Sequence, residues 1–151
     1  MTEKKIIGRK DKADFPELGL ENIPVKVDTG AYTSSIHCTA IEEKKIEGEW
    51  TIIFRLLDEE HPEYNNREFR FTSYQQKRIK NSFGDSERRY IIRTSITLFG
   101  ESFPVDLSLS ERGQMKYPVL LGRKLLNRRF IVDTQKTNLS SRKKKSLSKK
   151  K

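Results

Sequence analysis

The sequence predicts an all-β fold, a barrel or sandwich of short strands with one short helix near the C-terminal end. Apolar and polar residues alternate with a period of two residues, the pattern of a strand with one buried face, in residues 23–27, 50–56, 92–98 and 103–109. Glycine and proline lie between these runs, as expected for tight connections. Helical spacing is confined to residues 123–129, which allows two turns at most.

The remaining elements are weaker and fit between these runs. Residues 6–7 predict a first strand, and the polar stretch that follows predicts a loop. Alternation in residues 36–40 and 69–71 predicts two more strands. Residues 82–86 contain a glycine that suits a hairpin turn, so the strands on either side are expected to pair.

The 151 residues suffice for one domain with a hydrophobic core, and the basic charge is concentrated at one end. Residues 138–151 contain seven lysines and arginines and no acid, so only +3 of the formal net charge of +10 remains on the rest. We therefore expect a folded domain over residues 1–137 and a disordered basic tail over residues 138–151. The tail has no aromatic residue, so we expect only weak, unspecific nucleic-acid contact through it.

Cysteine content and hydropathy predict a cytoplasmic protein. Cys38 is the single cysteine, so no intramolecular disulfide can form and a reducing compartment is expected. No apolar run approaches the roughly 20 residues of a membrane span. No hydrophobic segment of a signal peptide follows Met1, and we expect no membrane partner.

The strongest functional signal is Asp28-Thr29-Gly30, which ends the strand predicted over residues 23–27. Glycine lets the backbone turn sharply and approach other groups closely. Alone, this tripeptide is equally consistent with an ordinary strand end. A second segment, residues 119–126, adds an apolar run, a glycine and a short helical stretch.

Together the two segments resemble the retropepsin-type aspartic peptidases, in which they pack together. Five segments also occur in the order of a bacterial family that is labelled "ATP-dependent zinc protease" but is retropepsin-like. These segments are residues 7–10, 15–19, 26–31, 33–37 and 130–133. The resemblance spans roughly residues 5–134 and implies a retropepsin-like barrel.

The resemblance implies a homodimeric aspartic peptidase. Its catalytic loop and the supporting segment would comprise Asp28, Thr29, Gly30, Ala31, Leu121, Gly122 and Arg123. Such enzymes need two carboxylates that share one proton. The chain has one Asp-Thr-Gly, so a second copy would supply the partner carboxylate across a two-fold axis. One carboxylate would take a proton from water while the other polarises the carbonyl of a peptide substrate.

One acid, Asp133, and one aromatic residue, Tyr32, qualify this resemblance. Asp133 is the in-chain rival of Asp28, but no glycine follows it at the matching position, and we expect a solvated acid. Retroviral enzymes have an acid at the position of Tyr32, which pairs with the arginine of the Gly-Arg motif, and the bacterial family usually has arginine there. Arg123 is therefore expected to lack that acidic partner.

The metal and nucleotide parts of the family label have no support in the sequence. The chain has neither a His-Glu-x-x-His motif nor a Gly-x-x-x-x-Gly-Lys-Ser/Thr loop. His37 and Cys38 are adjacent on a predicted strand and should point to opposite faces. His61 precedes a proline in a charged loop, where we expect it in solvent. We expect no cofactor and no metal, with Cys38 in the core.

A basic hairpin is predicted around the turn at residues 82–86. Its cations are Lys77, Arg78, Lys80, Arg88 and Arg89. In the retropepsins a hairpin folds over the substrate, so these cations would favour an acidic peptide. An ordinary solvated hairpin is equally consistent with the pattern. The alternative function is a non-catalytic binding module of the same fold, which would hold an acidic peptide or RNA.

Overall fold

The computed structural model describes residues 3–57, 61–62, 64, 66–80, 84–111 and 117–149, with only the backbone at residues 79, 80 and 147–149. Strands are the main secondary structure of these residues, as the sequence predicts. The strands are β1 (Lys5–Ile7), β2 (Lys10–Phe15), β3 (Leu20–Val27), β4 (Ser34–Ile46), β5 (Glu49–Leu56), β6 (Glu68–Phe71), β7 (Gln75–Lys80), β8 (Ser86–Leu98), β9 (Glu101–Ser110), β10 (Val119–Leu121) and β11 (Phe130–Val132). The helices are α1 (Arg123–Leu126) and α2 (Leu139–Lys149), and Pro16–Leu18 form a 3₁₀ turn. The all-β prediction is confirmed.

Six strands close into a barrel in the order β10-β3-β2-β8-β9-β4, because β10 also pairs with β4. Strand β10 runs parallel to β3 and antiparallel to β4, so it lies between them. Strands β5 and β6 extend the sheet beyond β4, and β7 pairs with β8 to form a hairpin. Strand β10 positions the candidate site, because it places residues 119–121 beside the end of β3.

The barrel interior is filled by the apolar positions of the alternating strands. Ile23 and Val25 of β3 are fully buried, as are Ile92 and Ile96 of β8 and Leu107 of β9. Each such aliphatic side chain contributes about 1.5–3 kcal/mol through burial of its apolar surface. The period-two pattern of the sequence therefore identifies these inward-facing side chains correctly, but Trp50, which belongs to the predicted alternation over residues 50–56, is 59% exposed.

The structure contains β2 where the sequence predicted a loop. The side chains of Asp11, Ala13 and Phe15 face the interior of the barrel. Because the first of them is a carboxylate, the sequence shows no apolar alternation in this segment. Asp11 is 2% exposed, and its carboxylate accepts the N–H groups of Ser140 and Ser141. A buried acid on a strand is tolerated here because hydrogen bonds compensate its desolvation.

The same hydrogen bonds account for a second difference, which lies in the basic tail. Residues 139–149 are helical, where the sequence predicted disorder. Asp11 receives the N–H groups that the first turn of α2 leaves free, and this contact fixes the start of the helix on the barrel. Because the capping residue is about 130 positions away in the sequence, the start of α2 cannot be recognised from the residues around it.

Helix α1 has four residues, within the limit of two turns predicted for residues 123–129. It ends at Leu126 because Asn127 has an extended backbone and Arg128 adopts a positive φ of 69°. The chain then enters β11, which pairs in parallel with β1. Neither of the two helices in the described ranges is long and apolar enough to cross a membrane.

Candidate functional site

The Asp28 loop, residues 28–33, connects β3 to β4 and is held by backbone hydrogen bonds. The N–H of Asp28 donates to the Leu121 carbonyl at 2.9 Å, which continues the β3–β10 pairing by one residue. The N–H of Gly30 donates to Oδ1 of Asp28 at 3.0 Å. The N–H of Ala31 donates to the Asp28 carbonyl at 3.2 Å. The carboxylate is therefore held by its own loop and is partly open to solvent.

The segment after β10 supports this loop from behind. Gly122 donates its N–H to Oγ of Ser34 at 2.9 Å. A Cβ at Gly122 would lie 2.5 Å from the Tyr32 carbonyl oxygen, so only glycine fits without a shift of the backbone. The N–H groups of Arg123 and Lys124 donate to the carbonyls of Ala31 and Tyr32, each at 2.9 Å. Loop and support thus form one hydrogen-bonded unit.

Arg123 has partners that differ from the acid of the retroviral pattern. Its Nη1 donates to the Thr29 carbonyl at 2.9 Å. Its guanidinium lies 5.8 Å from the centroid of the Tyr32 ring, which is a cation–π distance. A backbone carbonyl and an aromatic face therefore take the place of the missing acid. Tyr32 is 54% exposed, so its outer face is open beside Asp28.

Asp133, the in-chain rival, lies in a local turn after β11. Its Oδ1 accepts the N–H of Gln135 at 3.0 Å, and its own N–H donates to the Ile7 carbonyl at 2.9 Å. These contacts belong to the β1–β11 sheet rather than to the Asp28 loop.

The β7–β8 hairpin places cations directly opposite cations. Lys77 is paired with Arg89 and Arg78 with Arg88 in the antiparallel register. Arg89 is 9% exposed and donates to the Glu87 carboxylate, with Nη2 at 2.9 Å from Oε2. Arg78 and Arg88 are exposed. The side chain of Lys80, also predicted for this group, lies outside the described part of the chain.

Glu43 of β4 connects this hairpin to the β4–β5 hairpin, although no sequence motif marks it. Its carboxylate accepts hydrogen bonds from the hydroxyls of Tyr74 and Tyr90 and from Nε2 of Gln76. The hydrogen bond that the Tyr74 hydroxyl donates to Glu43 raises the pKa of Tyr74 to about 12, so the phenol stays protonated. The three donors fix the base of the β7–β8 hairpin against β4.

The residues weighed as metal ligands have other roles. Nδ1 of His37 and Sγ of Cys38 both lie near the Ser110 carbonyl, at 3.2 and 3.8 Å, and both side chains are buried. Burial raises the pKa of the Cys38 thiol to about 12, which keeps it protonated and weakens it as a ligand. His61 is partly buried instead of fully in solvent. No group of three potential metal ligands occurs among the described residues.

Solved structures support the fold. A protein of unknown function (DUF785) from Legionella pneumophila has a crystal structure that matches with a TM-score of 0.70 at 24% identity. The match covers 91% of this chain and 99% of that one. At this identity the likeness establishes the architecture alone.

Curated relatives correct the predicted enzyme class. Proteins from Shewanella pealeana, Shewanella halifaxensis and Desulfotalea psychrophila are 41%, 40% and 38% identical over 134 residues, and each is named "Probable alpha-L-glutamate ligase". The prediction of an aspartic endopeptidase, and with it the hydrolase and protease classification, is contradicted by these names, which describe a ligase. The matches cover 86% of this chain but 28% of each relative, so the chain spans about a quarter of their length.

A family model identifies the domain itself. The model described as RimB-like, retropepsin-like aspartic endopeptidase RimB, matches residues 6–143. This range contains the barrel, the Asp28 loop and the start of α2. The label "ATP-dependent zinc protease" is not confirmed by any of these comparisons. The chain therefore belongs to the RimB-like family of retropepsin-like proteins.

Proposed function

We propose that this domain binds glutamate-rich peptides and so acts as a substrate-holding module for glutamate ligation. The observation that carries the proposal is the register of the β7–β8 hairpin, which places Lys77 opposite Arg89 and Arg78 opposite Arg88. The relatives named as ligases support the choice of peptide, since the addition of glutamate to a peptide makes an acidic chain. The retropepsin-like barrel supplies a rigid base for the hairpin.

The charge arrangement of the hairpin is costly in the absence of an anion. Like charges directly opposite each other on a sheet destabilise the pair, by up to about 1 kcal/mol. Glu87 offsets the charge of Arg89. No acid among the described residues lies within salt-bridge distance of Lys77, Arg78 or Arg88. A glutamate side chain between Arg78 and Arg88 would replace repulsion with charge-assisted hydrogen bonds.

Arginine suits this partner better than lysine does. The guanidinium fork matches a carboxylate with two parallel hydrogen bonds. The arginines at positions 78 and 88 face the same side of the hairpin, because directly opposite residues share a face. That side also carries Gln76 and Tyr90, which Glu43 fixes in place. The two guanidinium groups are therefore presented on an ordered surface.

Fluorescence anisotropy with a labelled oligo-glutamate peptide tests the proposal. The variant Arg78→Gln/Arg88→Gln should bind about tenfold more weakly, a loss of about 1.4 kcal/mol. The matched control is Lys44→Gln/Lys45→Gln, which removes two cations from the exposed end of β4. Equal losses of peptide affinity in the two variants would show that the peptide is attracted by the net charge of the domain and not by the hairpin. An RNA oligomer that binds more tightly than the peptide would also overturn the choice of partner.

The Asp28 carboxylate provides a second control with the same peptide. Peptide binding at the hairpin does not need Asp28. Asp28→Asn should therefore leave the anisotropy titration unchanged. Cleavage of the peptide by the wild type, lost in Asp28→Asn, would overturn the binding proposal.

A further inference from the structure

A cavity of about 310 Å³ lies between α2, β2 and the turn that joins β8 to β9, away from the Asp28 loop. Its lining includes three lysines together with hydroxyl groups and one half-buried phenylalanine ring. The residues that matter here are Lys12, Asp14, Phe99, Ser141, Lys143 and Lys144. A volume of this size is in the range of small-molecule sites in proteins.

The wall formed by α2 is anchored independently of any ligand. Asp11 accepts the N–H groups of Ser140 and Ser141 at 2.9 and 3.0 Å. The hydroxyl of Ser140 accepts the N–H of Phe99 at 2.8 Å, which ties the helix to the β8–β9 turn. The amides of Ser140 and Ser141 at the start of the helix are thus used by the protein itself. The positive charge that would attract an anion lies on the lysine side chains.

Two of the three lysine charges are not neutralised. Nζ of Lys144 lies 2.9 Å from the Asp14 carboxylate and 3.1 Å from Oδ1 of Asn22, so this lysine is occupied. No acid among the described residues lies within salt-bridge distance of Lys12 or Lys143. The cavity therefore has two available ammonium groups on opposing elements, β2 and α2.

We propose that this cavity binds a small molecule that carries a phosphoryl group. Lysine ammonium groups bind phosphate as point charges, and two such groups are available in the lining of this cavity. The cavity is lined by lysines and by the hydroxyl of Ser141 and has no arginine in its described lining. The Phe99 ring and the lysine methylene groups provide an apolar surface for the remainder of the molecule. This site is separate from the β7–β8 hairpin and does not depend on peptide binding there.

Isothermal titration of the full chain with inorganic pyrophosphate, and separately with ADP, tests the site at low ionic strength. We expect binding of at least one of the two probes by the wild type. The variant Lys12→Gln/Lys143→Gln should weaken it by about tenfold or more, because both available charges are lost. The control Lys44→Gln/Lys45→Gln has the same change in net charge on a distant strand and should keep the wild-type affinity. Binding of ADP alone would assign the site to a nucleotide, and equal binding of both would assign it to the phosphate group.

Three results would overturn the proposal. They are absence of binding with either probe, equal weakening in the control variant, and displacement of the probe by an oligo-glutamate peptide. Amide NMR shifts provide a check that does not depend on the variants. The resonance of Gly100, in the cavity lining, should move on addition of the probe, while that of Gly48 in the β4–β5 turn should not.

Discussion

The packing of Gly122 behind the Asp28 loop makes Gly122→Ala the sharpest perturbation of the site. The new Cβ would lie 2.5 Å from the Tyr32 carbonyl oxygen and 2.8 and 2.9 Å from two further backbone carbons. Real Cβ atoms essentially never approach closer than 3.0 Å, so the backbones must separate by about half an ångström. All three neighbours are backbone atoms, and no side-chain rotation can relieve the contact.

The expected cost follows from overpacking and from weakened hydrogen bonds. Overpacking of a well-packed site costs about 1–3 kcal/mol. Separation of the two backbone segments also lengthens two hydrogen bonds, from Arg123 N–H to the Ala31 carbonyl and from Lys124 N–H to the Tyr32 carbonyl. Each contributes about 1 kcal/mol. We expect a loss of about 3 kcal/mol in the free energy of unfolding, which lowers Tm by roughly 6–12 °C for a chain of this size.

Urea unfolding with a matched control separates the clash from a general glycine effect. Gly48→Ala has open space around the new methyl group, so its cost comes only from the positive φ of 85° and should be about 1 kcal/mol. If Gly122→Ala loses no more stability than Gly48→Ala, the clash with the Tyr32 and Thr33 backbone does not destabilise the loop.

Three further predictions concern residues away from this contact. Asp11→Ala leaves two N–H groups of α2 without an acceptor, so trypsin should cut within α2 much faster than in the wild type, while the barrel stays resistant. The hydrogen bond from Arg93, followed by that from Lys124, holds the pKa of Asp106 below its usual range. The ionised Asp106 carboxylate therefore stabilises the fold above its unfolded-state pKa, and this stabilisation is lost as the pH falls through its folded-state pKa. The free energy of unfolding of Asp106→Asn should accordingly fall less steeply on acidification than that of the wild type. Burial raises the pKa of the Cys38 thiol to about 12, so iodoacetamide at pH 8 should label Cys38 only in urea; rapid labelling of the native protein would contradict this.

The sequence was informative where the signal is local. Period-two alternation identified β3, β5, β8 and β9, because apolar residues occupy alternate positions in each of them. The residues of the Asp28 loop and the Gly122 segment were found as short motifs, and the structure brings them within hydrogen-bond distance. Their expected roles in catalysis remain predictions.

The sequence was uninformative where a single long-range contact decides the structure. Strand β2 and helix α2 depend on one another through Asp11, and neither has the composition typical of its class. Glu43 looks like a surface acid of a charged strand until Tyr74, Gln76 and Tyr90 approach it from the β7–β8 hairpin. Ser34 lies in a run of small polar residues, and only the structure shows its contact with Gly122.

The enzyme class was predicted from motif resemblance, and this step failed for a different reason. Asp28-Thr29-Gly30 and the Gly122 segment specify how a loop is held, and a barrel can keep that packing whatever it binds. The relatives named as glutamate ligases overturn the hydrolase prediction. Their name favours an acidic peptide as the partner and therefore the basic hairpin as its binding surface. From the sequence alone, this hairpin was equally consistent with an ordinary solvated surface.

Charge reversal of the hairpin tests whether Arg78 and Arg88 select the peptide. The affinities of the wild type and of Arg78→Glu/Arg88→Glu are measured for an oligo-glutamate and an oligo-lysine peptide in the same buffer. The wild type should prefer the glutamate peptide, and the variant should prefer the lysine peptide. If the variant keeps the wild-type preference, the hairpin does not select the peptide and the proposed function is wrong.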